Sequence, residues 1–225
     1  MIYKDLMQEL KALGSEQFCK TFRRHGVQGE LYGVSYAHLG NLKKKIKIDH
    51  ELALELWKSG NHDARTLATM IADPAKGTEV LDEWIKDLNS YAIVDALAMF
   101  ASQTTVDPAR VEKWMKSKDE WVGCFGWSLF GRLARSDSRF SDEKLEKYLE
   151  VIERDIHKAK NRVRQSMNSA LISIGVRNEK LQKKALAVAA RIGKVEVDHG
   201  DTDCKTPDAA EYIKKTVARA QGKRK

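Results

Sequence analysis

Helical signals run the whole length of this chain, and no strand pattern is sustained anywhere in it. Apolar residues recur at spacings of three and four, as in Leu6, Leu10 and Leu13, or in Leu181, Ala185, Leu186, Ala189 and Ile192. Of the three prolines, Pro74, Pro108 and Pro207, two follow a capping residue, in Asp107-Pro108 and Thr206-Pro207-Asp208. That is the pattern of a proline at the first helical position, where its missing N–H costs nothing. Ser15, Ser35, Asn61, Ser141 and Asn178 mark further helix starts. The spacing predicts about a dozen helices of roughly 10–16 residues, joined by loops of a few residues. Consecutive helices with such short links pack antiparallel. The best strand candidate, from Lys194 to Asp201, could form a small hairpin but fits a structured loop better.

The fold class that follows is all-α. Pairs recur roughly every 35–45 residues, near the spacing of armadillo and HEAT repeats. The expected architecture is therefore an α-solenoid of antiparallel helix pairs, a single repeat domain over residues 1–225 with one continuous core. One helix of each pair would line a concave face able to wrap a duplex. A closed helical bundle is the competing arrangement.

Composition narrows the function classes. With 42% hydrophobic and 32% charged residues, the chain folds and dissolves rather than staying disordered. No stretch approaches the roughly 18 apolar residues of a membrane span. The N-terminus, Met1-Ile2-Tyr3-Lys4-Asp5-Leu6, starts a helix pattern directly and does not resemble a signal peptide. Cys19, Cys124 and Cys204 are scattered, which argues against a disulfide framework and suits a reducing cytoplasm.

The net charge of +8 is unevenly placed. Residues 151–225 hold 18 lysines and arginines against 9 acids, while residues 1–150 hold 22 against 23. The densest part contains Lys158, Lys160, Arg162 and Arg164, with Lys223-Arg224-Lys225 at the end. A localised basic excess suits the phosphates of a nucleic acid; a solubilising surface is the alternative. Lys43 and Lys44, in Lys43-Lys44-Lys45-Ile46-Lys47, could extend the same face.

One carboxylate stands out. Asp95 lies four residues after Tyr91, which puts the two side by side on one helix face. Ile93, Val94, Leu97, Ala98 and Phe100 around it ask for a buried helix, and an acid there is costly to bury alone. Asp95 is either a structural anion with a basic partner or the chemical end of a site.

Other motifs read first as architecture. In Leu56-Trp57-Lys58-Ser59-Gly60-Asn61-His62-Asp63-Ala64-Arg65, Gly60 stops one helix, Asn61 caps the next, and Trp57 packs across the junction. The aromatic helix from Trp121 to Phe130 carries Gly123 and Gly126, which allow close backbone approach. Asp198, His199, Asp201, Asp203 and Cys204 lack the tight ligand spacing of a metal site, so neither metal nor cofactor is expected.

Taken in order, these motifs resemble a known family. Tyr32-Gly33-Val34-Ser35 precedes a helix; Leu56-Trp57 leads through to His62-Asp63-Ala64-Arg65. A Tyr91-to-Asp95 helix, a Trp121-led helix and a basic helix at Val163 follow. The series is similar to the DNA alkylation repair family, the HEAT-like-repeat alkylpurine DNA glycosylases of the AlkD type, over roughly Tyr32 to Thr206.

The resemblance implies removal of cationic N3- or N7-alkylated purines from duplex DNA, with the lesion held against aromatic side chains in a concave cleft. A cationic base is drawn to an aromatic face. Asp95 matches the family's catalytic acid, which would stabilise an oxocarbenium-like state and orient water. Tyr91 falls where the family has a lesion-contacting tryptophan, and Trp57 joins it as an expected lesion contact. Lys43, Lys44, Lys158, Lys160, Arg162 and Arg164 are the expected DNA-binding cations.

The chain also departs from the pattern. The family's basic residues on the third helix fall near Gly123 and Cys124 here. The second stacking tryptophan falls near Ser169, and no tryptophan follows Trp127. Three readings result. One is a DNA glycosylase acting through Asp95. Another is a non-catalytic member that binds damaged or branched DNA. The last is a helical scaffold for a protein partner, although no obligate partner is implied.

Overall fold

The structure, a computed structural model, describes residues 2–222, so Lys223, Arg224 and Lys225 of the basic terminus lie outside the described residues. Among the described residues there are thirteen α-helices, two one-turn 3-10 segments and no strand. The all-α expectation holds, and Lys194–Asp201 is loop. The helices are α1 (Tyr3–Ala12), α2 (Glu16–Arg24), α3 (Tyr36–Ile46), α4 (His50–Lys58), α5 (His62–Ile71), α6 (Gly77–Trp84) and α7 (Tyr91–Ala101). They continue with α8 (Pro108–Met115), α9 (Glu120–Ala134), α10 (Asp142–Asp155), α11 (Asn161–Gly175), α12 (Glu179–Ile192) and α13 (Ala209–Gly222).

The caps fall largely where the sequence places them. Ser35, Asn61, Ser141 and Asn178 each accept a first-turn N–H, and Asp107 caps α8 with Pro108 behind it. The last helix differs. Asp208, not Thr206, accepts the Glu211 N–H at 2.8 Å, so Pro207 precedes the cap instead of following it.

The chain divides into two compact units. The first runs to Val106 and includes Gly200–Thr202; the second holds Asp107–His199 and the described residues from Asp203 on. In the first, the Asp49 N–H donates to the Ile71 carbonyl, which sets the start of α4 against the end of α5 and makes the pair antiparallel. Helices α3 and α5 run side by side in parallel. Asp63, in the first turn of α5, accepts from the N–H groups of Tyr32, Gly33 and Val34, just before α3, at 2.6, 3.1 and 2.8 Å. This clamp explains why two separate sequence motifs occur together: one carboxylate, 1% exposed, satisfies three amide donors of the other. Gly33 adopts φ +77°, and a Cβ there would meet the backbone N and Sγ of Cys19 at 2.7 Å.

In the second unit α9 and α11 run parallel and very close. A Cβ on Gly131 would meet the Ala170 Cα at 3.2 Å, and one on Gly123 would meet a Val163 methyl at 3.2 Å. Gly126 is needed on another side, where a Cβ would strike the Met115 backbone of α8. Helices α10 and α12 are joined by Glu146–Lys184 at 2.6 Å and Glu153–Arg191 at 2.5 Å. Both pairs span 38 residues, so these helices are parallel too.

The blurred repeat length has a structural cause. In the first unit α3, α5 and α7 start at Tyr36, His62 and Tyr91, intervals of 26 and 29 residues. In the second, α9, α11 and α13 start at Glu120, Asn161 and Ala209, intervals of 41 and 48. The expected 35–45 spacing averages two unlike halves.

Candidate nucleic-acid interface

The α3, α5 and α7 N-termini gather on one side of the first unit, and Asp95 sits there. Helix α7 buries Ile93, Val94, Leu97, Ala98 and Phe100. Tyr91, Asp95 and Met99 form the opposite stripe; Tyr91 is half-buried and Asp95 is exposed. The expectation of an acid buried among apolar residues is therefore corrected. The apolar residues on either side face the core, while Asp95 faces solvent.

Tyr91 is held in place. Its hydroxyl shares a 2.6 Å hydrogen bond with Nδ1 of His25, the residue after α2, and the two rings meet edge to face. Tyr36 stands at the first position of α3 with 52% of its surface exposed. Packing around its hydroxyl raises the phenol pKa, and the carboxylates of Asp95 and Asp63 raise it further. Phe22 bridges from the Tyr36 ring to His62, with ring centroids 6.2 and 5.3 Å away. Burial lowers the His62 pKa, against the opposing pull of Asp63. The result is an exposed acid in a setting of half-exposed tyrosines at helix N-termini.

Tyr36 and His25 are the residues that sequence reasoning missed. A signal for Tyr36 exists: Ser35-Tyr36-Ala37 repeats as Ser90-Tyr91-Ala92, each with serine before the helix and tyrosine at its first position. His25 carries no such mark.

Trp57 is not part of this face, and its expected contact with a lesion is corrected. It is 2% exposed and stacks on Trp84 at 4.3 Å with the rings 2° from parallel. The Arg65 guanidinium lies 5.2 Å from the ring, and the indole N–H donates to Asp87 at 2.8 Å. Arg65 also bonds the Asp87 carboxylate and the Trp57 carbonyl, which completes a structural joint. The packing role read from Gly60-Asn61 is the one realised. Trp84, Trp114 and Trp127 are equally buried, at 4% each, and only Trp121 is half-buried.

The cations differ in availability. Lys43 and Lys44 are exposed near the C-terminal end of α3, away from Tyr36. In the second unit Lys158 and Lys160 are exposed just before α11. Arg162 donates to the Gln165 side chain at 2.8 Å, and its N–H to Glu120 at 2.7 Å. Arg164 is committed: its guanidinium donates to the carbonyls of Glu196 and Ala159 at 2.8 and 3.0 Å and to that of His157 at 3.4 Å. It ties a loop to α11 instead of reaching into solvent.

Among the described residues no cluster of three histidine, cysteine or acidic side chains could hold a metal ion. No described helix is long and apolar enough to cross a membrane.

Known proteins place this arrangement. A family model described as "DNA alkylation repair enzyme" matches residues 6–213. The chain is 31% identical to the uncharacterized protein Lin0241 of Listeria innocua, over 95% of its own length and 96% of the relative. It is also 31% identical to the uncharacterized protein Lmo0209 of Listeria monocytogenes, over 97% and 99% of the two chains. Among solved structures it is similar to one described as a new family of proteins related to the HEAT-like repeat DNA glycosylases with affinity for branched DNA structures. That likeness has a TM-score of 0.87 and 33% identity, and covers 98% of this chain and 95% of the other. The HEAT-like repeat fold expected from the sequence is thereby shown.

Proposed function

Since the chain belongs to the DNA alkylation repair enzyme family, we propose that it binds DNA, with branched duplexes as its preferred form, and does not excise bulky alkylpurines. Exposed Lys43, Lys44, Lys158 and Lys160 meet phosphates. Tyr36 and Tyr91 offer aromatic edges to bases that a branch point leaves unstacked. The similar solved protein has affinity for branched DNA, which supports this choice of substrate.

The single observation carrying the reading is the burial of the tryptophans. A cationic alkylpurine is held best by an open indole face. Trp57, Trp84, Trp114 and Trp127 are all buried in packing, and Trp121 is half-buried, so none is fully open. A tyrosine whose hydroxyl is pinned by His25 is a weaker substitute.

Excision remains the second reading because Asp95 is exposed one turn from Tyr91. A carboxylate so placed can stabilise an oxocarbenium-like sugar. Two measurements separate the readings. Affinity for a four-way junction should exceed that for the matching linear duplex and fall steeply with salt. Incubation with N7-methylguanine DNA should release no free base. Base release that Asp95→Asn abolishes would overturn the binding-only reading in favour of the second.

A further inference from the structure

The turn from α3 into α4 holds a strained residue. Lys47 adopts φ 67° and ψ −130°, and it is the one residue other than glycine with a positive φ among the described residues. That conformation suits glycine, because a Cβ there crowds the backbone, and such strain persists only where the surrounding structure enforces it. Here both sides of the turn are tied. The Lys47 N–H donates to the Lys43 carbonyl at 2.7 Å, and the Asp49 N–H to the Ile71 carbonyl at 2.9 Å. The Asp49 side chain then caps α4 through the Leu52 N–H at 3.1 Å.

What this fixed turn presents is an apolar tip beside cations. Ile48 is 63% exposed, a fraction matched among the described large apolar side chains only by Ile2. Its branched side chain is stiff, so packing it against a partner costs little rotamer freedom. Lys43, Lys44 and Lys47 are exposed in the five residues before it, and Lys45 reaches Glu9 at 3.5 Å. Of the acids that follow, Asp49 is spent on its cap and Glu51 stands in the first turn of α4. A single exposed isoleucine is ordinary on a protein surface. One held at a strained, anchored tip next to four lysines is not.

Lysines attract polyanions, and DNA is the polyanion that also offers apolar faces, those of its bases. Proteins that deform DNA insert an apolar side chain, isoleucine among them, at a base step while cations hold the phosphates. We propose that the Lys47–Ile48 turn is a wedge for the open end of a DNA stack. Ile48 lies against the base faces, and Lys43, Lys44 and Lys47 meet the phosphates beside them. The wedge rests on the DNA-binding reading above and supplies a cause for the preference for branches. In a continuous duplex the side chain must first unstack a step, whereas a branch point leaves stack ends already exposed. Tyr36 and Ile48 lie at opposite ends of α3, roughly 15 Å apart by helical rise, so the two meet different arms of one branch.

The test compares wild type and Ile48→Ala on a four-way junction and on its matching linear duplex. Wild type should prefer the junction. Ile48→Ala, at an exposed position, should melt as wild type does and lose about tenfold in junction affinity, with duplex affinity within about twofold. Its salt slope should not change, because no charge is lost. Lys47→Gly should raise Tm by about 2 °C or more as the strain is released, yet weaken binding to both DNA forms. A raised Tm with both affinities unchanged would overturn the role of the strained turn. A junction-to-duplex ratio that is the same in Ile48→Ala as in wild type would overturn the wedge and leave DNA binding intact. If wild type binds neither DNA at low salt, the DNA-binding reading fails and the wedge with it. Binding to vesicles of phosphatidylcholine and phosphatidylserine that Ile48→Ala weakens, with junction affinity untouched, would overturn the wedge in favour of a lipid contact.

Discussion

The Tyr91 hydroxyl and Nδ1 of His25 lie 2.6 Å apart, which joins the start of α7 to the end of α2. Helix α2 buries none of its own residues, so this bond helps to hold it in place. Tyr91→Phe should cost about 0.5–1.5 kcal/mol, the net worth of one such bond. For a chain of this size that lowers Tm by roughly 2–4 °C per kcal/mol. Proteolysis within α2 should quicken at the same time, which limited digestion followed by mass spectrometry would detect.

Asp63→Ala should be far more damaging. It removes the acceptor for three amide donors at once, two of them fully buried. Each donor left bare costs about 1–3 kcal/mol, so the loss exceeds most single-site effects. A thermal melt should show a drop of well over roughly 5 °C, or no cooperative transition at all. A melt within about a degree of wild type would show that the clamp contributes nothing.

In the sequence the Asp63 clamp is visible only as two motifs in fixed order; their meeting is a tertiary fact. The same limit explains the other differences. Helical periodicity places Tyr91 and Asp95 on one face correctly, because i and i+4 always share a face. It does not reveal whether that face is buried, and the apolar neighbours turn out to lie on the opposite stripe. Trp57 shows the reverse: its helix and its packing role are legible, but not which partner closes each face. Trp84 and Arg65, which close them, are 27 and 8 residues away. The contacts that Arg164 and Asn168 make with the loop after α12 leave no periodic trace, because they depend on that loop folding back onto a helix.

Stability should fall as pH drops below neutrality. Burial lowers the pKa of His62 in the folded state, and desolvation followed by the positive charge of Arg162 lowers that of His199. Below the ordinary histidine value of about 6.5, the unfolded chain takes up protons that the folded chain refuses. The unfolded state thus binds more protons in that window, so unfolding free energy rises with pH there and is fully present above it. Urea titrations at about pH 5 and about pH 7.5 should give a lower midpoint in the acid sample, and His62→Gln should reduce the difference.

Asp95→Asn keeps the size of the side chain and removes its charge at an exposed position of α7. Its effect belongs to binding. A carboxylate on a surface that meets phosphates repels them, so its removal should strengthen duplex affinity severalfold at low salt. The gain should shrink at high salt as screening sets in. Unchanged affinity at every salt concentration would place the DNA away from Asp95.

Arg164 and its lysine neighbours should separate in the same assay. Lys158 and Lys160 are exposed, and removing each lysine that pairs with a phosphate should flatten the logarithmic salt slope by about 0.9. The Lys158→Ala, Lys160→Ala double variant should therefore bind DNA more weakly and with a shallower slope, while melting as wild type does. Arg164→Ala should do the opposite. Its guanidinium holds the carbonyls of Glu196 and Ala159, so its loss frees the loop after α12 and lowers Tm. The salt slope should stay unchanged, because a side chain committed to carbonyls releases no counterion on binding. An Arg164→Ala variant that melts normally but binds DNA with a clearly shallower slope would make Arg164 a phosphate ligand after all.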